Sequence, residues 1–307
     1  MLVPDIDVLV CDEEGRAALE QLPGVRPVHY DPDEPLPPEA ATAEILVPPF
    51  LSPASGVRLA EQMPKLRLVQ LLTAGAEIWV GNLPDGVALS DCKGAHGGAT
   101  AEWIVGALLA VYRDLPVFVR AQDEGRWDYH RTDELDGKRV LIVGAGDVAE
   151  HTVRRLEPFG VSTTLVGRRA RDGVHGIDEV YDLLPRYDAC VVIVPLTEDT
   201  RGLVDARFLA AMPDGAVLVN AARGPVADTD ALVAELTSGR LRAAVDVTDP
   251  EPLPAGHPLW SAPGLLLTPH VGGSVPGAMR RAYGVAVEQI AAFVRGERPP
   301  NLVENGY

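Results

Sequence analysis

Positive charge is scarce in this 307-residue chain: Lys and Arg number 27 against 44 Asp and Glu, a formal net charge of −17. Nucleic-acid binding is driven by clustered Lys and Arg, so a surface of this sign repels a polyanion and argues against a nucleic-acid partner. Cysteine is scarce too. Cys11, Cys92 and Cys190 are odd in number, far apart and in no C-x-x-C spacing, which indicates neither a disulfide framework nor a metal site. They read as buried apolar residues. No apolar run approaches the roughly 18 residues of a membrane helix, and Asp5 and Asp7 stand where a signal peptide carries Lys or Arg. The expectation is a cytoplasmic protein with no membrane partner. Repeats, low-complexity tracts and flexible linkers are also missing, and the Pro-rich segments Pro32–Pro38 and Pro250–Pro258 read as rigid surface loops.

What is present describes a globular α/β protein. Apolar residues make up 47% of the chain and charged ones 23%, and its length suffices for two domains with separate cores. Strand-like runs are expected at Ile6–Val10, Val25–Tyr30, Glu44–Val47, Leu66–Leu71 and Val87–Ser90, with helical segments at Glu13–Leu22 and Ala54–Met63. A long apolar helix, Thr100–Tyr112, is followed by a polar, irregular stretch from Arg120 to Gly137. A second series has strands at Arg139–Val143, Val161–Val166, Ala189–Val194, Ala216–Asn220, Leu241–Val247 and Leu265–Thr268. Its helices fall at Asp178–Leu184, Ala206–Met212 and Asp228–Thr237, and the helix Ala278–Val294 closes the series. Such alternation is the signature of parallel sheets. Two α/β halves joined by a helix imply a cleft, with ligands at the carboxyl ends of the strands.

The first chemically informative motif is Gly144-Ala145-Gly146-Asp147-Val148-Ala149, directly after the strand Arg139–Val143 and before a helical pattern. In a strand–turn–helix unit, the first glycine permits the tight turn and the second lets the backbone approach a pyrophosphate. The last position packs helix against strand, and the helix N-terminus offers N–H groups to the anion. Three polar residues then follow successive later strands: Arg223 in Asn220-Ala-Ala-Arg223-Gly224, Glu251 in Asp249-Pro-Glu251-Pro, and His270 in Thr268-Pro-His270. Singly, each passes for a loop residue. Together at one edge of a nucleotide-binding sheet they suit hydride transfer to a 2-oxo acid. A guanidinium grips the carboxylate and polarises the adjacent carbonyl, an imidazole moves the hydroxyl proton, and a carboxylate fixes the imidazole tautomer.

These residues resemble the D-isomer-specific 2-hydroxyacid dehydrogenases, which include glyoxylate/hydroxypyruvate reductases and phosphoglycerate dehydrogenases. The likeness covers nearly the whole chain. It rests on Thr100-Ala-Glu102-Trp103, Gly144-x-Gly146-x-x-Ala149, Pro195-Leu-Thr197, Asn220-Ala-Ala-Arg223-Gly224, Asp246-Val-x-x-Pro-Glu251-Pro and Thr268-Pro-His270. The resemblance implies two Rossmann-like doubly wound parallel-sheet domains. A split flavodoxin-like substrate domain, residues 1–98 plus 275–307, would surround an inserted dinucleotide-binding domain, residues 99–274. It assigns Arg223 to substrate binding, His270 to acid/base catalysis and Glu251 to supporting that histidine. It places Ala74 and Gly75, in the Thr73–Ala76 turn, at the substrate carboxylate. The coenzyme site it implies takes in Gly144, Ala145, Gly146, Asp147, Val148, Gly167, Arg168, Arg169, Pro195, Thr200, Ala221, Arg223, Asp246, His270 and Gly272. It further implies a homodimer meeting through the long helix, and no metal. Trp127, Tyr129 and His96 are candidates for the substrate wall.

One departure bears on the coenzyme. Dinucleotide strands of this type usually end in Asp or Glu about 20 residues after the glycine turn, to bond the ribose hydroxyls. This chain reads Val166-Gly167-Arg168-Arg169 instead. No carboxylate stands there to repel a 2′-phosphate, and two guanidinium groups are nearby, so NADP(H) is expected to be preferred over NAD(H). The bland alternative is that both arginines are solvated turn charges. Rival functions on the same scaffold are a phosphite-type or formate-type dehydrogenase and a non-catalytic corepressor-like nucleotide sensor. The presence of Arg223, Glu251 and His270 together favours an enzyme, and Glu251 speaks against the formate type, in which an amide partners the histidine.

Overall fold

The computed structural model describes residues 5–50 and 55–304. Backbone contacts divide the chain into two compact units, one built from the chain up to His96 together with the chain from Pro276 onward, the other from Gly97–Val275.

The first unit is a five-stranded sheet. Its strands are β1 (Ile6–Val10), β2 (Val25–His29), β3 (Ile45–Val47), β4 (Leu68–Gln70) and β5 (Ala88–Ser90), with helices α1 (Glu13–Leu19) and α2 (Ser55–Glu61) between them. The order is β2-β1-β3-β4-β5, and every pairing is parallel. The helix expected from Ala54 to Met63 is therefore seen as α2, while Ala54 itself lies outside the described residues.

The second unit begins with α3 (Gly97–Tyr112), three residues earlier than its apolar pattern suggested. A helix not expected from sequence follows, α4 (Leu115–Asp123). Its first four residues include Pro116, which suits a first helical turn, and it extends into the stretch read as irregular from Arg120. Then come β6 (Arg139–Val143), α5 (Asp147–Leu156), β7 (Ser162–Gly167), β8 (Val174–Gly176), α6 (Val180–Leu183), β9 (Ala189–Val192), α7 (Ala206–Ala211), β10 (Val217–Asn220), α8 (Thr229–Thr237), β11 (Arg242–Val245) and β12 (Leu265–Leu267). The sheet order is β12-β11-β10-β9-β6-β7-β8, again parallel throughout. β8 was not expected: it is three residues long and pairs with the end of β7.

Parallel sheets are covered on both faces, which is why their strands read as continuous apolar runs. Every residue of β9 and β10 is buried. α3 and α5 cover one face through Ile104, Leu108, Ala149 and Leu156, while Phe208, Leu209, Leu232 and Leu236 of α7 and α8 cover the other. Cys92 and Cys190 are buried as expected, but Cys11 is only half-buried, and all three are free thiols. β6 and β9 are neighbours whose chains leave toward opposite sides of the sheet, which makes their carboxyl ends the switch point where ligands bind. Among the described residues no helix is long and apolar enough to cross a membrane, and no cluster of ligating side chains suits a metal.

The chain returns to the first unit through α9 (Ala278–Val294), which packs Ala282, Tyr283, Ala286 and Ile290 into one face of the five-stranded sheet. The segment beyond α9 then pairs with the β5 edge. Val303 N–H donates to the Leu89 carbonyl at 2.8 Å, Asp91 N–H to the Asn301 carbonyl at 3.1 Å, and Asn301 N–H to Gln289 Oε1 at 2.8 Å. Asp91 is 6% exposed at this junction, and the Lys93 N–H is bonded to its Oδ1 at 3.0 Å. Burial pushes its carboxyl up to about 6. Because the folded chain then holds this proton more tightly than the unfolded chain, the contribution of Asp91 to stability is fully present below pH ~4 and is lost as the pH rises through 6. Asp91→Asn, which keeps the acceptor for Lys93, should therefore be more stable than the parent above pH 6. Holding the proton up to about pH 6 instead of 3.8 corresponds to at most about 3 kcal/mol. Urea midpoints at pH 4.5 and 7.5 check this. An equal difference between the two proteins at both values would show that the Asp91 charge carries no cost.

Candidate active site

The carboxyl edge of the seven-stranded sheet receives the loops after β6, β7, β9, β10, β11 and β12. These loops, with the first turn of α5 and the end of β7, carry the sequence-predicted coenzyme and catalytic residues. Ala74 and Gly75 lie in the turn after β4 of the other unit, and His96 lies after β5 of that unit, its Nε2 2.8 Å from the Leu72 carbonyl oxygen. Trp127 and Tyr129, expected at the substrate wall, stand exposed in the stretch after α4. Gly144 has φ +122, and a Cβ there would stand 2.6 Å from the Ile193 carbonyl oxygen, so only glycine fits between the ends of β6 and β9. Gly146 is the reverse case. It caps α5 with no side-chain bond, and a Cβ built on it meets nothing within 4 Å. Bare backbone facing open space ahead of a helix N-terminus fits a dinucleotide pyrophosphate. Ala145 completes the turn. Asp147 and Val148 form the first turn of α5, with the Asp147 carboxylate directed to Gly97 and 3.4 Å from His151 Nε2.

At the end of β7, Gly167 is buried, while Arg168 and Arg169 are exposed on the loop that follows. A third arginine, not singled out from sequence, touches the glycine turn itself: Arg171 Nη2 donates to the Ala145 carbonyl at 2.8 Å. The loop after β9 is tied by Thr200, whose hydroxyl donates to the Pro195 carbonyl at 2.6 Å and accepts from the Thr197 N–H at 2.8 Å. Ala221, next along the edge, continues the ladder by donating its N–H to the Val192 carbonyl at 3.1 Å.

Arg223 is positioned by the residue that ends β10. The buried Asn220 accepts from the Ala222 N–H at 3.0 Å and donates to the Arg223 carbonyl at 3.3 Å, closing a turn around the arginine. The guanidinium donates to the Ala222 carbonyl at 2.8 Å. Behind it, a Cβ on Gly224 would stand 1.9 Å from the Thr248 carbonyl oxygen, so the loops after β10 and β11 are in direct backbone contact. That second loop carries Glu251, and the Thr248 N–H lies 3.4 Å from its Oε2.

His270 follows β12 with φ +54, a left-handed backbone uncommon outside glycine. Asp246, 4% exposed, holds it there. The Asp246 carbonyl accepts the His270 N–H at 2.7 Å. Its carboxylate accepts the Val271 and Gly272 N–H groups at 2.8 Å each and the Thr268 hydroxyl at 2.6 Å. Gly272 is required because a Cβ would come within 2.9 Å of Asp246 Oδ2. So fixed, His270 Nδ1 lies 2.6 Å from Glu251 Oε1. An ionised carboxylate only accepts, so Nδ1 carries the proton and the other ring nitrogen, Nε2, is the one presented to a substrate. Both side chains are 42% exposed, as groups that must meet a ligand need to be.

Known proteins carry the same arrangement of sequence and fold. Residues 105–272 match the family model described as the NAD binding domain of the D-isomer specific 2-hydroxyacid dehydrogenases. The chain is 35% identical over 231 residues to a glyoxylate reductase of Thermofilum pendens, covering 71% of this chain and 68% of that protein. It is 30% identical over 313 residues to a glyoxylate reductase/hydroxypyruvate reductase of Mus musculus, covering 94% of each. A D-isomer specific 2-hydroxyacid dehydrogenase from Xanthobacter autotrophicus Py2, crystallised with NADPH and MES, superposes with a TM-score of 0.83 at 31% identity, covering 98% of both chains. With the family model spanning more than half of its length, the chain belongs to the NAD(P)-dependent D-isomer specific 2-hydroxyacid dehydrogenases.

Proposed function

We propose that this chain reduces a small 2-oxo acid of the glyoxylate or hydroxypyruvate type to its D-2-hydroxy acid, with NADPH favoured as coenzyme. The observation that carries the reading is the 2.6 Å His270–Glu251 pair set beside the Arg223 loop on the edge that bears the glycine turn. Gly144, Ala145, Gly146, Asp147 and Val148 would hold the pyrophosphate, and the loops bearing Gly167, Pro195, Thr200, Ala221, Asp246 and Gly272 would line the rest of the coenzyme. The bound coenzyme supplies the hydride. Arg223 binds the substrate carboxylate through its planar fork and draws charge from the neighbouring carbonyl. His270 gives the proton at Nε2 to the carbonyl oxygen, and Glu251 holds the ring in that tautomer and offsets the imidazolium charge. On the family resemblance, Ala74 and Gly75 complete the carboxylate site, and the unit containing them is the substrate domain. The relatives named as glyoxylate reductases and the NADPH-bound neighbour support the substrate class and the coenzyme.

A homodimer belongs to the same reading. The stretch from α4 onward exposes Leu115 and Val119, then Trp127 at 94% and Tyr129 at 84%. On the family resemblance the two copies would meet through α3, and these exposed apolar groups beyond it would extend that association surface.

His270→Ala should cut kcat about 100- to 10,000-fold on the best of a panel of small 2-oxo acids, with coenzyme Kd nearly unchanged. Arg223→Ala should both raise KM and lower kcat; formate and phosphite in the reverse direction serve as controls. Full turnover by His270→Ala would remove the proposed mechanism. For the coenzyme, one charge-assisted bond to a 2′-phosphate is worth about 1.5–3 kcal/mol. kcat/KM with NADPH should therefore exceed that with NADH by about tenfold or more at low salt, and by less at high salt. Equal efficiencies would mean that the arginines after β7 do not meet a 2′-phosphate. Sedimentation should give a dimer that Val119→Lys weakens, whereas a monomeric parent chain would end the assembly reading.

A further inference from the structure

The turn after β4 takes its shape from the loop after β5, which holds two of its successive carbonyls. The Thr73 carbonyl accepts the Cys92 N–H at 2.9 Å, and the Leu72 carbonyl oxygen lies 2.8 Å from His96 Nε2. A carbonyl oxygen only accepts, so Nε2 carries the proton and donates it to this bond. Across a trans peptide the N–H points opposite to the carbonyl. With both carbonyls drawn to the β5 loop, the N–H groups of Thr73 and Ala74 are turned away from it, and successive N–H groups presented together are what an anion needs. The Thr73 hydroxyl closes the turn by donating to the Gly75 carbonyl at 2.8 Å. The loop that supplies these donors is itself anchored. The Ala95 N–H returns to the Cys92 carbonyl at 3.1 Å, Arg281 Nε of α9 donates to the Ala95 carbonyl at 3.0 Å, and Cys92 Sγ donates to the Ala282 carbonyl at 3.1 Å. The His96 ring packs against Phe50, on the loop after β3, with ring centroids 5.3 Å apart.

We infer that His96 is a positioning residue for the substrate, acting through the Leu72 carbonyl to hold the Thr73–Ala76 turn in the form that takes a carboxylate. On sequence His96 is a candidate for the pocket wall, whereas its bond to Leu72 makes it an anchor of the turn. The inference rests on the reading of Ala74 and Gly75 as part of the carboxylate site and adds the side chain that sets their geometry. Because the bond leaves from Nε2, the far nitrogen of the ring, reach decides which replacements serve. A glutamine amide nitrogen stands about where Nε2 does and can donate to the same carbonyl. An asparagine amide reaches only to the place of Nδ1, and a leucine fills the space with no donor at all.

The test measures kcat and KM for glyoxylate and hydroxypyruvate in the parent chain, H96N, H96Q, H96L and A74D. The Kd of oxamate, an unreactive 2-oxo acid analogue, on the coenzyme-bound enzyme gives a readout independent of turnover. H96N and H96L should raise KM and the oxamate Kd about tenfold, with kcat and coenzyme Kd changed by less than about threefold. H96Q should recover most of that affinity. A74D sets a like charge on an exposed residue of the turn and should raise both constants further still. Should H96L fail to fold, the contrast between H96N and H96Q carries the same decision, because the two differ by one methylene. Equal constants for H96N and H96Q would overturn the inference. So would a joint loss of kcat, coenzyme affinity and oxamate affinity in H96N, which would make His96 a general brace of the fold. If A74D left KM and the oxamate Kd unchanged, the carboxylate reading of the turn would fall and the inference with it. Weakened binding in A74D beside parental constants in H96N would remove the inference alone.

Discussion

The grip of Asp246 on the chain around His270 is the constraint on which the site depends. A carboxylate buried to this degree is tolerable only when its oxygens are fully bonded. Here two backbone N–H groups and a hydroxyl meet it, while its own carbonyl takes a third N–H. Those four bonds come from Thr268, His270, Val271 and Gly272, so one residue at the end of β11 dictates the path of the chain leaving β12. They also over-determine the left-handed backbone of His270, a conformation that persists only where its surroundings impose it. From that backbone the imidazole meets Glu251 on the neighbouring loop.

The same economy appears one strand earlier. Asn220 ends β10 and turns its amide onto Ala222 and Arg223, so the direction of Arg223 follows from an asparagine at the strand terminus. In both places the group that does chemistry is on a loop, and the group that aims it is buried at the end of a central strand. A parallel sheet makes this repeatable, because every strand delivers its loop to one edge and the buried anchor cannot move without disturbing the core.

Much of this was legible in the sequence because it is written in local signals. Apolar runs marked eleven of the twelve strands, the glycine turn marked the coenzyme end, and Arg223, Glu251 and His270 stood out as polar residues after consecutive strands. What escaped has a physical pattern. α4 fully buries Ala121 and leaves Leu115, Val117 and Val119 exposed, so its apolar residues do not mark a buried face. β8 is too short for a period at all. Arg171 was missed because its partner, Ala145, is 26 residues away and meets it only once β6 and β7 pair. Asp246 was read as a coenzyme residue from resemblance. Its geometry adds a role within the chain that no spacing rule displays.

The absence of a side chain at Gly224 lets the Thr248 carbonyl sit directly on the loop that carries Arg223. The segment that grips a substrate carboxylate and the segment that carries Glu251 are thereby mechanically one body. Substrate selectivity and proton-transfer competence are not separate dials in this molecule. A change near residue 224 or 248 that reshapes the binding pocket also re-aims the catalytic histidine's partner. New specificities on this scaffold are then more accessible through loops that do not touch that seam.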